Sequence, residues 1–247
     1  MNKTLEVSML NRIRILLLLP LMSLLIAGCD LVGVEAKTVR LGVPLQPSGA
    51  LLFVALDQGY FAEEGLNVET SYYPSGKRAL IDGYLQGKVD YFSAADAPFT
   101  NYAFDSSNDL VALASLYSAD NVNRIVARVD RGITSFADLK GKTIATQQNS
   151  AVHFFLHTVL LENQIHGDSM AKIEFYPAGE LPKRLIEGSI DAFSMREPFV
   201  SQALEGLAGK GIALSSPGSY VQSELFIASR QFVEADPDLA KRLLNAR

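Results

Sequence analysis

Short apolar segments alternate with loops along most of the 247-residue chain. Alternating, β-branched residues at positions 38–43 predict a strand, and apolar residues at helical spacing over positions 50–58 predict a helix. The same order of strand, loop and helix returns at positions 67–73 and 78–86, and a short strand follows at 91–93. Strands that alternate with helices in this way predict an α/β fold with a mainly parallel sheet.

The second half of the chain repeats this order. Strands are predicted at 143–146, 172–176 and 191–194, and helices at 150–162 and 181–187. In open α/β sheets, ligands bind at the loops that follow the carboxyl ends of the strands. Two such sheets whose loops face each other would enclose a cleft. The pattern therefore predicts two lobes with the ligand between them.

We expect the chain to pass between the two lobes twice. Residues 29–118 are assigned to the first lobe, 119–217 to the second lobe, and 218–247 to the first lobe again. The crossings are predicted within 113–123 and 217–223, because these stretches join segments that belong to different halves.

The amino terminus carries a different pattern. Three basic residues precede an apolar run over positions 15–26, which is shorter than the about 20 residues of a membrane-spanning helix. The run is followed closely by Cys29, the only cysteine of the chain. This order is typical of a bacterial lipoprotein signal. We therefore predict that residues 1–28 are removed and that Cys29 carries a lipid anchor.

An ordinary secretory signal with a chance cysteine is the alternative. Cleaved secretory signals favour a small residue three positions before the cut, where this chain has Ile26. The lipid would hold the protein on the cell membrane on its periplasmic, extracytoplasmic side. Asp30 resembles the inner-membrane retention signal of enterobacterial lipoproteins, so the inner membrane is the expected location.

Charge and composition exclude some classes of protein. The net charge of −5 at pH 7 argues against nucleic acid as a partner. Beyond the leader, the sequence contains no further apolar run of spanning length and no short-period repeat. The remainder of the chain is therefore expected to be globular.

Six sequence motifs follow one another along the chain. They lie at residues 58–69 (QGYFAEEGLNVE), 87–90 (GKVD), 93–98 (SAADAP), 135–145 (SFADLKGKTIA), 185–192 (LIEGSIDA) and 196–198 (REP). Together they resemble the NMT1/THI5-like group of sulfonate, nitrate and taurine ABC-transporter substrate-binding proteins. The resemblance implies a two-lobed periplasmic-binding-protein type II fold. It also implies a monomeric solute receptor without cofactor or catalysis, whose partners are an ABC permease and its cytoplasmic ATPase.

Candidate ligand-binding residues lie in the loops after the predicted strands. They are Gln46, Ser48, Gly49, Ser75, Gly76, Lys77, Ala95, Asp96, Asn149, Ser150 and Ala151. Ser150 and Ala151 begin a predicted helix, where backbone amides and the helix dipole favour an anionic group. The alternative is that Ser150 or Asn149 serves only as the helix N-cap.

The charged candidates suit different ligands. Lys77 suits an oxyanion or a carboxylate, although exposed lysines mostly form a solvated face. Asp96 and Glu197 would receive an amine or a ring N–H. Glu197 with Pro198 is equally consistent with a plain helix start. Sulfonates, nitrate-like anions, nitrogen heterocycles and amino-acid-like compounds therefore all stay open as solutes.

His153 and His157 lie four residues apart, which is the spacing of a zinc pair on one helix face. The residues between them include no glutamate, unlike a metalloprotease helix. We therefore predict no metal site and expect His153 to act as a hydrogen-bonding residue of the cleft.

Enzymes and sensors on the same fold are the competing classes. The pyrimidine-synthesising proteins of this fold imply a cysteine-rich iron motif, which a chain with one lipidated cysteine cannot supply. A dehydratase would need a general acid and a base, for which Glu197, Asp96 and His153 are the candidates. A sensor module would need a transmembrane signalling partner.

The last predicted helix begins at Asp236 and Pro237, and Leu239, Leu243 and Leu244 give it an apolar stripe. Proteins of the resembled family carry further helices after this point. The resemblance therefore leads us to expect a shortened carboxyl terminus.

Overall fold

The computed structural model describes residues 36–104, 109–166 and 171–246. The predicted signal and Cys29 lie outside these residues. Across the described ranges, none of the helices combines the length and the apolar character that a bilayer crossing requires.

The strands of the described ranges form two five-stranded sheets. They are β1 (Lys37–Pro44), β2 (Leu66–Tyr73), β3 (Tyr91–Ala95), β4 (Leu110–Ala119), β5 (Arg124–Arg128), β6 (Thr143–Thr146), β7 (Lys172–Phe175), β8 (Ala192–Met195), β9 (Gly211–Leu214) and β10 (Gln222–Ser229).

Helices connect most of these strands. They are α1 (Ala50–Asp57), α2 (Tyr60–Glu63), α3 (Gly76–Arg78), α4 (Asp96–Ala103), α5 (Ala151–Glu162), α6 (Leu181–Glu187), α7 (Phe199–Leu207), α8 (Arg230–Ala235) and α9 (Pro237–Asn245). A π-helical turn over Ala79–Gly83 and a 3-10 turn over Tyr84–Gln86 follow α3. The helix predicted at 78–86 is therefore helical but not a regular α-helix.

Both sheets have the same strand order. The first runs β2-β1-β3-β10-β4 and the second runs β7-β6-β8-β5-β9. In each sheet three strands are parallel, and the next strand runs against its neighbours. We call the parts built on these sheets the first and the second lobe. The predicted α/β class with two mainly parallel sheets is confirmed.

The strand that runs against its neighbours is, in each sheet, the one that arrives from the other lobe. The chain leaves the first sheet at Ala119 and enters the second with β5, and it leaves the second at Leu214 and returns with β10. The sequence pattern places a crossing over residues 113–123, whereas residues 113–119 belong to β4. The crossing itself, residues 120–123, lies within the predicted stretch, whose first part belongs to β4 because Leu113 and Leu116 pack on the core of the first lobe.

The two crossings lie side by side. Asn123 Nδ2 donates to Gln222 Oε1 at 3.2 Å, and both side chains are buried. This hydrogen bond joins the two crossings, while Asn123 Oδ1 and Gln222 Nε2 have no partner among the described residues.

Each lobe has its own apolar core between the sheet and its helices. In the first lobe, Leu41 of β1 packs with Leu52 of α1 and with Leu239 and Leu243 of α9. Asp236 Oδ1 accepts a hydrogen bond from Leu239 N at 2.9 Å. The predicted start and apolar stripe of the last helix are thus confirmed.

Helix α5 anchors the core of the second lobe. Leu156 is fully buried, whereas Leu161 on the same helix is 64% exposed. We expect Leu156→Ala to destabilise the protein by about 2–5 kcal/mol, because it removes buried methyl groups and leaves a cavity. Urea unfolding would measure the loss.

Leu161→Ala is the matched control, since it changes the same residue type on the same helix. It should shift the free energy of unfolding by no more than about 0.5 kcal/mol. Equal losses for the two variants would contradict the assignment of the inward face of α5.

Candidate functional site

The loops that follow the strands of the two sheets meet in a cleft. Arg196, just after β8, donates from Nη2 to Gln46 Oε1, just after β1, at 2.9 Å. Lys77 at the start of α3 donates from Nζ to the backbone oxygen of Gln148, which follows β6. These contacts join the first lobe to the second at the carboxyl ends of their strands, where α/β sheets hold ligands.

Several cavities lie along this cleft, and three of them hold most of the predicted residues. The predicted residues Gln46, Ser48 and Glu197 line a cavity of about 250 Å³, and Gln46, Ser75 and Lys77 line one of about 670 Å³. Asp96, Asn149, Ser150 and His153 line the third, of about 550 Å³. The buried residues Gly49, Gly76, Ala95 and Ala151 are not among the lining residues of these three.

The two predicted glycines of the first lobe are required by close packing. A Cβ atom on Gly76 would lie 2.5 Å from Ala94 Cα and 2.7 Å from Ser93 O of β3. A Cβ atom on Gly49 would lie 2.4 Å from the Pro44 oxygen. Glycine at these positions lets the loops lie directly on the strand ends.

The two serines at helix starts act as caps. Ser75 Oγ accepts from Arg78 N at 3.3 Å, and Ser150 Oγ accepts from His153 N at 3.4 Å. Ser150 Oγ also donates to the Gln147 oxygen. Each serine therefore fixes the direction in which its helix leaves the sheet.

Two of the predicted residues meet at the start of α5. Asn149 has a φ of 51°, in the left-handed region that asparagine tolerates. Its backbone N–H donates to His153 Nδ1 at 3.3 Å. His153 Nε2 lies 3.1 Å from His157 Nε2, so one proton shared between the rings fits this contact. Burial, with the nearby charges of His157 and Lys77, lowers the pKa of His153.

Asp96 joins the start of α4 to the returning crossing. Its carboxylate accepts from Ala97 N at 2.8 Å, from Ser223 N at 3.2 Å and from the hydroxyl of Tyr220. Burial, strengthened by the bond to Asp96, raises the pKa of Tyr220. The carboxylate is thus used within the protein.

Glu197 lies at the start of α7, where its Oε2 accepts from Ser201 N at 3.1 Å. Its side chain is exposed and lines the cavity of about 250 Å³ rather than the one that Asp96 and His153 share. The three residues considered for acid–base chemistry therefore do not lie around one cavity.

Sequence reasoning missed two charged side chains of the cleft, Glu224 and Arg196, each of which has a buried atom without a hydrogen-bond partner among the described residues. Glu224 is only 2% exposed, and in the part of the chain that the structure describes its Oε1 has no hydrogen-bond partner. The buried Nε of Arg196 is likewise unpartnered among the described residues. The alternation of β10 could have revealed Glu224. Every second residue from Gln222 onward is buried, and Glu224 lies on the same inward face as Phe226 and Ala228.

Burial raises the pKa of Glu224 to about 7, and the positive charge of Arg196 opposes the rise. Tyr117 pairs with Glu224 across the β10–β4 ladder. Burial and the Glu224 charge raise the pKa of Tyr117, while Arg196 lowers it. Glu224 therefore lies close enough to both side chains to interact with them electrostatically.

Within residues 36–104, 109–166 and 171–246, no group of three or more histidine, cysteine, aspartate or glutamate side chains could hold a metal ion.

Two sheets of identical order with a polar cleft between them define the class of periplasmic-binding-protein type II folds. A solved structure of the alkanesulfonate-binding protein SsuA from Xanthomonas axonopodis pv. citri, bound to MOPS, has this fold. It superposes with a TM-score of 0.71 at 22% identity, over 86% of this chain and 72% of SsuA. Residues 46–247 match the family described as NMT1/THI5 like, and the chain belongs to that family.

Two curated relatives come from Synechococcus elongatus. The bicarbonate transport ATP-binding protein CmpC is 26% identical over 200 residues, which cover 73% of this chain and 30% of CmpC. The bicarbonate-binding protein CmpA is 24% identical over 234 residues, which cover 85% of this chain and 52% of CmpA. The chain thus spans a third to a half of the length of these relatives.

The buried carboxyl predicts an unusual pH dependence of stability. Because the pKa of Glu224 rises from about 4.5 in the unfolded chain to about 7 in the folded one, the folded state binds the proton more tightly. Raising the pH through this window therefore destabilises the wild type. As the pH is raised from 4.5 to 8, we expect the free energy of unfolding of Glu224→Gln to increase by up to roughly 3 kcal/mol relative to that of the wild type.

Urea unfolding of both proteins across this pH range would measure the difference. Glu234→Gln, an exposed glutamate of the first lobe, is the control and should show no such trend. A constant difference between Glu224→Gln and the wild type would show that Glu224 titrates normally.

Proposed function

We propose that this protein is an extracytoplasmic solute receptor of an ABC importer. It captures a small anionic or zwitterionic solute between its lobes and releases it unchanged. The observation that carries the proposal is that Arg196 and Lys77 reach across the cleft to the opposite lobe. A ligand that engages both lobes only when they are shut would shift the equilibrium toward closure.

The chemistry of the cleft supports an anion. Arg124 and Arg196 line the cavity of about 250 Å³, and Lys77 and Arg78 line the neighbouring one. The buried Nε of Arg196 offers a charged donor that no other described residue uses. Relatives named for binding bicarbonate and alkanesulfonate fit the same choice of ligand.

The proposed partners are an ABC permease and its cytoplasmic ATPase. The similarity to a bicarbonate transport ATP-binding protein, CmpC, supports a place in such a system. We expect the receptor to act as a monomer. We also expect no catalysis, because Glu197 lines a different cavity from Asp96 and His153, so the three acid–base candidates do not surround one substrate.

Arg196→Gln should weaken the binding of the cognate anion by about 10- to 100-fold, because a hydrogen bond to a charged group contributes about 1.5–3 kcal/mol. Isothermal titration with nitrate, bicarbonate, methanesulfonate and taurine would measure the affinities. Recovery of the bound solute after incubation would show whether it is left unchanged.

Arg230→Gln is the matched control, because Arg230 is an exposed arginine of α8 paired with Asp109. It should bind as the wild type does. Equal affinity of Arg196→Gln and the wild type for every anion would contradict the proposed cleft. Conversion of a solute to product would contradict the receptor role.

We also propose that Cys29 anchors the protein by lipid to the inner membrane, on its outer side. In cells given labelled palmitate, the wild type should incorporate label and sediment with membranes. Cys29→Ser should lose both properties while keeping the affinity of the soluble domain. Unchanged labelling of Cys29→Ser would refute the anchor.

A further inference from the structure

Glu224 lies at the edge of the cleft in the first lobe. It is opposite Ala95, the last residue of β3, and opposite Tyr117 of β4. The side chain is almost wholly buried, and one of its oxygens has no partner anywhere in the described ranges. A buried ionised carboxylate with an unmet oxygen is costly, and hydrogen bonds from Ser93 and Ser48 only partly offset the cost, so burial favours the protonated form of Glu224.

Groups from five neighbouring segments and from the opposite lobe face this carboxyl. They are Ser48 after β1, Ser93 of β3, Asp96 of α4, Tyr117 of β4, Tyr220 of the returning crossing and Arg196 of the second lobe. Arg196 is the only cation in this set. Asp96 is already held by three hydrogen bonds and supplies a second negative charge nearby.

An anion that binds Arg196 Nε therefore shares that guanidinium with two carboxyl groups, although Arg124 also lines the cavity. Like charges in a cleft shielded from water repel strongly. A proton on Glu224 removes one negative charge and turns the carboxyl into a hydrogen-bond donor toward the anion. The same proton also relieves the cost of burying the carboxylate.

We propose that the cleft captures an acceptor-only oxyanion together with one proton, which the Glu224 carboxyl takes up as the anion binds to Arg196. This inference rests on the proposed receptor function and specifies its ligand. The sulfonate and nitrate groups have only acceptor oxygens and fit a site of this kind. A solute that carries its own donor would instead favour the ionised form of Glu224.

The electrostatics of the free protein agree with this assignment. Burial raises the pKa of Glu224 to about 7, so the proton is available near neutral pH. A bound anion raises the pKa further. Above pH 7 the dissociation constant should therefore increase by about tenfold for each pH unit, and below pH 6 it should be constant.

Calorimetric titration with sodium nitrate and sodium methanesulfonate tests this directly, because neither anion titrates between pH 5 and 9. At pH 8, buffers of different ionisation enthalpy should report uptake of more than about half a proton for each anion bound. Glu224→Gln should still bind the anion, but without proton uptake and without the pH dependence. Glu234→Gln, an exposed glutamate, should retain both.

The outcomes separate this inference from the receptor function. Binding without proton uptake, or uptake that persists in Glu224→Gln, would overturn the role of Glu224 and leave the receptor intact. Tighter binding at higher pH would also overturn it, since the ionised carboxylate would then be the binding form. Failure of nitrate, methanesulfonate, bicarbonate and acetate to bind at pH 6 would overturn both proposals together.

Discussion

The reversed strands β5 and β10 are the constraint on which the two-lobed structure depends. Each is the strand with which the chain enters its sheet from the other lobe, so the first sheet is built from two segments, β1 to β4 and β10, whereas the second is built from the single segment β5 to β9. The short crossings that lead into these strands lie together and are joined by the buried pair Asn123 and Gln222. Any movement between the lobes must be absorbed by these few residues, because the sheets on either side are packed as rigid units.

The same arrangement explains where the polar groups of the cleft come from. β10 returns from the second lobe directly into the first sheet between β3 and β4, and its second inward position is Glu224. The crossing that precedes it supplies Tyr220 and the Ser223 amide to Asp96. Residues of the crossing therefore also contact a charged group of the cleft. A movement of the crossing would change the hydrogen bonds of Asp96.

Much of the fold could be predicted from the sequence. The alternation of strands and helices fixed the class, because periodicity reports which face of each element is buried. The boundary of β4 was missed because its alternation is weak and most of its residues are only half-buried. The irregular turns after α3 follow from tertiary packing. Gly76 lies against β3, and a Cβ atom on Gly83 would clash with the Tyr73 ring. Neither contact is visible in a sequence.

The site was harder to predict than the fold. Loop positions such as Gln46 and Lys77 could be chosen because strand ends are readable. Glu224 was passed over because a single glutamate in a strand usually faces solvent. Its environment is created by Arg196 and Asp96, which are distant in sequence, so its importance emerges only when the strands are assembled.

The contact between Arg196 and Gln46 also has a consequence for selectivity. Gln46 presents a neutral oxygen to the guanidinium, and it is tethered at a high effective concentration. If the protein is the proposed receptor, a solute that approaches Arg196 through Nη2 would have to displace this oxygen, whereas Nε stays available to an anion. The glutamine would thus direct a bound anion to one edge of the guanidinium.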